Sequence, residues 1–213
     1  MPFGNYRVVA GALGHRVLGL VLAGGKSRRF GFDKATAVLG GISLVERAAR
    51  RAAPQVERLL VNRNDDRSLS LPFPILEDRN PGEGPLAGVL AGLAHATAHG
   101  FTHLATFSCD APFFPHDCVE RLMATLTGRD AEVCFARYGD VAHWTFALLG
   151  AGCAPILEPA FANGLRSLHG MREILSTLEV AFPASGDAPG GDPFFNINTP
   201  HDMELAGQWM MRN

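Results

Sequence analysis

Val17-Leu18-Gly19-Leu20-Val21-Leu22-Ala23-Gly24-Gly25-Lys26-Ser27-Arg28-Arg29-Phe30-Gly31-Phe32-Asp33-Lys34 is the stretch that decides the fold. Its first seven residues form an apolar run that ends in glycines, as a parallel strand buried on both faces does. The glycines beyond it permit a sharp turn and expose consecutive backbone N–H groups with no Cβ in the way. Such nests take up phosphate oxygens. Lys26, Arg28, Arg29 and Lys34 surround that turn. The composition is that of a triphosphate cradle at the carboxyl edge of an open α/β sheet. Two well-known phosphate loops are excluded. The pattern G-x-x-x-x-G-K-[ST] requires Gly at position 20, which is Leu20, and G-x-G-x-x-G fails because Gly24 and Gly25 are adjacent.

Working outward, strand and helix signals alternate. Ser43-Leu44-Val45-Glu46 is a capping-box pattern, and the helix it opens must stop before Pro54. Short strands are expected at 58–61 and 73–76, a helix over 86–99 closed by Gly100, and a strand at 103–108. A helix around 117–126, a strand at 131–136, and an antiparallel strand at 142–149 after the tight turn Tyr138-Gly139-Asp140 follow. Helices are expected around 154–161 and 168–178, a strand near 180–182 and a loop over 185–193. Thr199 caps a last helix with Pro200 at its first position. This order implies a three-layer α/β/α sandwich with a mostly parallel sheet and one antiparallel strand. Residues 1–15 are expected to be a loose leader, and 16–213 a single domain.

The 213 residues carry a formal net charge of -2, which gives no bulk attraction to nucleic acid or to an anionic membrane. Of the 19 basic residues only Lys26 and Lys34 are lysines, and both lie in the glycine-rich stretch. A lysine is a compact point charge and an arginine a wide fork, so a tight phosphate site distinguishes them. Cys109, Cys118, Cys134 and Cys153 show no zinc-like spacing and read as buried, reduced thiols of a cytoplasmic protein. Gly84 to Cys109 lacks acidic and basic residues, yet its histidines, glycines and threonines make it too polar to span a membrane.

Asp110 follows an apolar strand and precedes Pro112. It is placed either to hold Mg²⁺ or to cap the next helix. Asn62 and Asp78 end short strands at the same expected edge, where they either cap turns or read a base. Guanine offers N1–H and N2–H₂ to a carboxylate and O6 to an amide. Gly84-Pro85-Leu86 opens a helix whose amides can favour an anion or a base edge, or is a plain loop-to-helix start with Pro near its first position. His95 and His99 lie four apart without a third ligand and read as surface or capping residues.

The pattern L-A-G-G-x-S-x-R-x-G-x-D-K from Leu22 to Lys34 resembles the nucleotidyltransferases that build sugar-nucleotides and related cofactors. With Gly24-Gly25 and Asp33-Lys34 it looks most like the molybdenum cofactor guanylyltransferases. Cys109–Phe114 is similar to the family's C-D-x-P segment, Gly84–Gly88 to its G-P-L-A-G, and Asn196–Pro200 to its N-x-N-T-P. Phe30 stands where the family usually has Met. Trp144 replaces the proline expected after His143.

The resemblance implies a Rossmann-like nucleotidyltransferase fold. It also implies transfer of GMP from GTP to the terminal phosphate of molybdopterin with Mg²⁺ as cofactor, and transient contacts with other proteins that make or accept the molybdenum cofactor. On it, Lys34, Arg28 and Asp110 are catalytic, and Asp110 holds the metal. Leu22, Ala23, Gly24, Gly25, Lys34, Asn62, Asp78, Gly84, Pro85, Leu86 and Asp110 contact the nucleotide. His143 faces the acceptor, and Asn196 and Asn198 face the acceptor or lie near the metal. A relative using CTP or another phosphorylated acceptor, and a non-catalytic GTP-binding adaptor, remain alternatives at this stage.

Overall fold

The computed structural model describes residues 14–24, 34–64, 71–78 and 80–212. The expected leader falls outside these up to residue 13, as do Gly25, Lys26, Arg28, Arg29 and Asp33 of the cradle. Among the described residues the main sheet contains β1 (Val17–Leu22), β4 (Arg58–Asn62), β5 (Ile75–Leu76), β6 (His103–Ser108), β7 (Val133–Tyr138), β8 (Val141–Gly150) and β9 (Thr177–Ala181). Their order is β5-β4-β1-β6-β8-β7-β9. Only β8 runs against its neighbours in this sheet. β2 (Val38–Leu39) and β3 (Ile42–Ser43) form a separate small hairpin.

Helices cover both faces of the sheet. α1 (Leu44–Ala52) turns Leu44, Val45, Ala48, Ala49 and Ala52 inward, and its Ser43 cap accepts from Glu46 N at 3.3 Å. α1 and α3 (Cys118–Leu126) close a cluster that includes Val21, Val61, Phe107 and Phe146. On the other face α2 (Pro85–Ala98) and α4 (Ala154–Ala162) cover Leu20, Leu60, Leu104 and Phe135. Gly92 explains how α2 comes so close. A Cβ there would stand 2.8 Å from Leu20 and 2.9 Å from Leu104. A third cluster joins the β2–β3 hairpin to Phe113, Ile197 and α5 (Pro200–Arg212).

The registers set the working edge. Leu22 pairs with both Asn62 and Ser108, and Asn62 with Leu76, so four strands end in one row. β1 connects onward to β4 on one side, while β6 lies on its other side. The strand order reverses there, the point at which ligands bind in open α/β sheets.

One expected element differs. In place of a helix over 168–178 there is a short 3-10 turn, His169–Glu173, and β9 has begun by Thr177. Leu168, Met171 and Leu175 are buried as their spacing suggested, but parallel pairing of β9 with β7 takes the chain away from the helix. The strand expected at 73–76 is reduced to Ile75–Leu76.

Candidate active site

Lys34 opens a 3-10 turn after the cradle and is only 8% exposed. Its Nζ donates to Asp110 Oδ2 at 2.8 Å and to Asn198 Oδ1 at 2.6 Å. Three segments far apart in sequence therefore meet at one ammonium. An ammonium has three N–H donors, so one remains for a ligand. The second carboxylate oxygen of Asp110 accepts from Ser108 Oγ, a partner that the sequence reading missed. The helix beyond Pro112 begins at Cys118 with Asp117 at its N-cap position and no side-chain cap bond, so Asp110 does not cap it.

Asn198 is held by the start of α5. Its N–H and that of Thr199 both donate to Asp202 Oδ2, at 2.9 and 2.8 Å, and Asp202 N donates back to Thr199 Oγ1 at 3.1 Å. Ile197 N donates to the Asp110 carbonyl at 2.8 Å and ties this segment to the end of β6. Asn196 is exposed on the other side of buried Ile197. Of the two asparagines left open by sequence, Asn198 is the one joined to Lys34.

Asn62 and Asp78 share the opposite side of the edge and are buried. Asn62 Nδ2 donates to the Leu76 carbonyl at 3.1 Å, and Ala23 N donates to the Asn62 carbonyl at 3.0 Å. Gly24 is exposed and faces Asn62; a Cβ on it would lie 4.0 Å from Asn62 Oδ1. Asp78 is anchored through its N–H, which donates to Asn64 Oδ1 at 2.8 Å. Its own Oδ1 is buried with no hydrogen-bond partner among the described residues. Burial pushes the Asp78 carboxyl above the usual aspartate range, against the opposing hydrogen bonds from Asn64 and its own backbone.

Gly88 is a further residue that the sequence signalled only as part of a segment. A Cβ on it would overlap Asn62 Oδ1 and sit 2.8 Å from Asn62 Cγ. Gly88→Ala is therefore expected to displace the Asn62 amide and to raise the KM for nucleotide about tenfold, with α2 intact because alanine favours helix. Steady-state kinetics beside a thermal melt checks this. An unchanged KM would detach Asn62 from base recognition.

The start of α2 has Pro85 at its first position and part of its amide row already engaged. Leu86 N donates to the Arg166 carbonyl at 3.3 Å, Pro85 has no N–H, and Arg166 is ion-paired with Glu83 at 2.8 Å. Gly84, at φ 92°, allows this close approach, since a Cβ would lie 3.0 Å from the Arg166 carbonyl oxygen. Leu22 and Ala23 are buried at the end of β1.

His143 stands where the β7–β8 register shifts, opposite Ala136. Its ring stacks on Phe194 at 4.5 Å, and its buried Nε2 lacks a hydrogen-bond partner among the described residues. Burial pushes its pKa down, opposed by Asp192. Trp144 packs against Phe135, the two rings tilted with centroids 3.9 Å apart. His95 and His99 stack on each other at 4.0 Å, and His99 Nδ1 lies 2.9 Å from the His95 carbonyl. No group of three or more His, Cys, Asp or Glu that could hold a metal ion occurs among the described residues. The four cysteines are buried and free of disulfides. No described helix is long and apolar enough to cross a membrane.

Residues 19–181 match the family model of the MobA-like NTP transferase domain. The chain is 38% identical over 200 residues to the molybdenum cofactor guanylyltransferase of Rhizobium leguminosarum bv. trifolii, covering 91% of this chain and 93% of that one. Identity to the protein of the same name from Rhodobacter capsulatus is 37% over 202 residues, covering 93% and 98%. Among solved structures, the molybdopterin-guanine dinucleotide biosynthesis protein A of Archaeoglobus fulgidus has a similar fold. Its TM-score is 0.73 at 24% identity, covering 92% of this chain and 100% of that one.

Proposed function

The chain belongs to the MobA-like NTP transferase family, and on that premise we propose that it transfers GMP from GTP to the terminal phosphate of molybdopterin, releasing pyrophosphate. The observation that carries this reading is the meeting of Lys34, Asp110 and Asn198 at the carboxyl edge of β1 and β6. An acceptor phosphate oxygen forms a bond to the α-phosphorus of GTP, and the bond from that phosphorus to the β-phosphate oxygen breaks. The attacking phosphate is already ionised near neutral pH, so no dedicated base is needed. The work left to the protein is alignment of two anions and neutralisation of the charge between them.

Each residue has a part in that work. The Gly24 turn, with Gly25 and Arg28 beyond it, holds the triphosphate. Lys34 offers its third N–H to a phosphate oxygen while Asp110 and Asn198 fix the other two. Asn62 and Asp78 read guanine, Asp78 accepting from N1–H and N2–H₂. His143 and Asn196 face the acceptor. Asp110 and Asn198 offer hard oxygen donors of the kind that suits Mg²⁺, and they would be the residues to hold it. Mg²⁺ bound there supplies positive charge against the triphosphate. The buried, unbridged thiols fit a reducing cytoplasm.

The test is pyrophosphate release with molybdopterin and Mg²⁺, comparing GTP with CTP, ATP and UTP. Release with GTP alone is expected, and none after EDTA. Release with CTP instead would overturn the base assignment. Tight GTP binding without release would leave a nucleotide-binding adaptor.

Asp78 adds a pH dependence. The ionised carboxylate accepts two guanine donors, and protonation removes one acceptor site. With its pKa raised, GTP use is expected to fall on acidification at a higher pH than the ordinary aspartate value of about 3.9 predicts. The stability sign is opposite. A folded pKa above the unfolded one gives stability that is full below the unfolded value and lost as pH rises through the folded value. Asp78→Asn should thus discriminate poorly between GTP and ATP at neutral pH, yet unfold at an equal or higher denaturant concentration. Retained GTP preference in that variant would sink the assignment.

A further inference from the structure

A pocket of about 540 Å³ lies between α1, the segment beyond Pro112 and α5, and it shares no lining residue with the Lys34 site. α1 contributes Arg47, Arg50 and Arg51, spaced i, i+3 and i+4 so that three guanidiniums share one helix face. His116 comes from the neighbouring segment, and Phe113 and Trp209 meet edge to face at 5.1 Å to give an apolar side. Asp187 is the one carboxylate in this lining. Arg50 is ion-paired with Glu46 on the same helix.

The walls are fixed. Arg51 Nε donates to the Phe114 carbonyl and Arg47 Nη2 to the Leu39 carbonyl. Gln55 Nε2 donates to the carbonyls of Arg51 and Pro115, and Gln55 Oε1 accepts from Val119 N at 3.1 Å. Bonds to backbone carbonyls hold Arg47 and Arg51 close together despite their mutual repulsion, with Glu46 and Asp187 offsetting part of the charge. Arg47 Nε is buried with no hydrogen-bond partner among the described residues. Burial, and then the charge of Arg50, push the Arg47 pKa down. Burial also lowers Arg51, against the pull of Asp187, and lowers His116, where Arg51 adds to the effect. Guanidinium forks in fixed positions are suited to phosphate oxygens, which they bind through paired N–H groups. The volume is that of a small-molecule site.

We propose that this pocket binds a phosphorylated small molecule carrying a planar ring, its phosphate on Arg47, Arg50, Arg51 and His116 and its ring against Phe113 and Trp209.

The probe is 4-nitrophenyl phosphate, whose ring quenches tryptophan emission. With Trp144→Phe, Trp209 is the remaining tryptophan and reports directly on the pocket. Saturable quenching is expected, matched by calorimetry on the unsubstituted chain in case that variant fails to fold. Arg50→Gln combined with His116→Gln, both exposed positions, should weaken binding about tenfold with an unchanged melting temperature. Lys34→Ala should leave the affinity as it was. Inorganic phosphate should bind more weakly, and 4-nitrophenol should not compete. Absence of binding, an affinity indifferent to the double substitution, or loss of binding in Lys34→Ala would overturn the proposal.

Discussion

Asp110→Asn is expected to lower pyrophosphate release from GTP by about 10³-fold or more while the chain folds normally. Asparagine keeps the size of the side chain and can still present an oxygen to Lys34 and an amide to Ser108 Oγ. What it removes is the negative charge that balances a nearly buried ammonium and that would give the proposed Mg²⁺ its anionic ligand. Alanine would abolish turnover as well, but it would also leave Lys34 facing only Asn198, so that stability and chemistry change together. The asparagine variant separates them. A turnover assay beside a thermal melt decides the matter. Activity within tenfold of the parent chain would show that Asp110 is a structural partner of Lys34 and no more.

That pair also shows how far the sequence could be read. Lys34 and Asp110 were each visible locally, one as a rare lysine in a glycine-rich turn and the other as a carboxylate at a strand end. Their bond was not visible, because 76 residues separate them. Asn198 lies 164 residues from Lys34, and the Ile197–Asp110 backbone bond together with the Asp202 contacts at the start of α5 places it there. Ser108 gave no signal, since a serine ending a strand is commonplace. β1 was legible because burial on both faces writes a continuous apolar run. The 168–178 segment was misread for the opposite reason. Its apolar spacing does describe a buried face, but the pairing of Thr177–Ala181 with β7 is a tertiary choice that leaves no local mark. Gly88 belongs to the same class, since its need arises from the side chain of Asn62 on another strand.

Trp144 shows how a departure from the family pattern is absorbed. The ring lies 3.9 Å from Phe135 and 5.2 Å from His169, so the bulk is taken up by packing on the α4 side of the sheet. His143, one residue earlier, points to the other face and stacks on Phe194, two residues before Asn196. Successive side chains of a strand point to opposite faces, so these adjacent residues of β8 serve two different environments.

Lys34→Arg is the stricter test of the site, because it preserves charge and is expected still to lose about 10²-fold or more in turnover. In the parent chain a single nitrogen lies 2.8 Å from Asp110 and 2.6 Å from Asn198, in a slot that leaves Lys34 8% exposed. A guanidinium spreads its donors over a plane several ångströms wide. It can fork onto the Asp110 carboxylate, but it then displaces the Asn198 amide or the phosphate oxygen that the third N–H of lysine would reach. The pairing with Asp110 should grow stronger as catalysis fails, so the melting temperature is expected to hold or rise while kcat falls. That split separates a geometric requirement from an electrostatic one. If Lys34→Arg turned over GTP at near the parent rate, positive charge alone would suffice at this position. The concentration of both lysines of the chain in the cradle would then carry no chemical meaning.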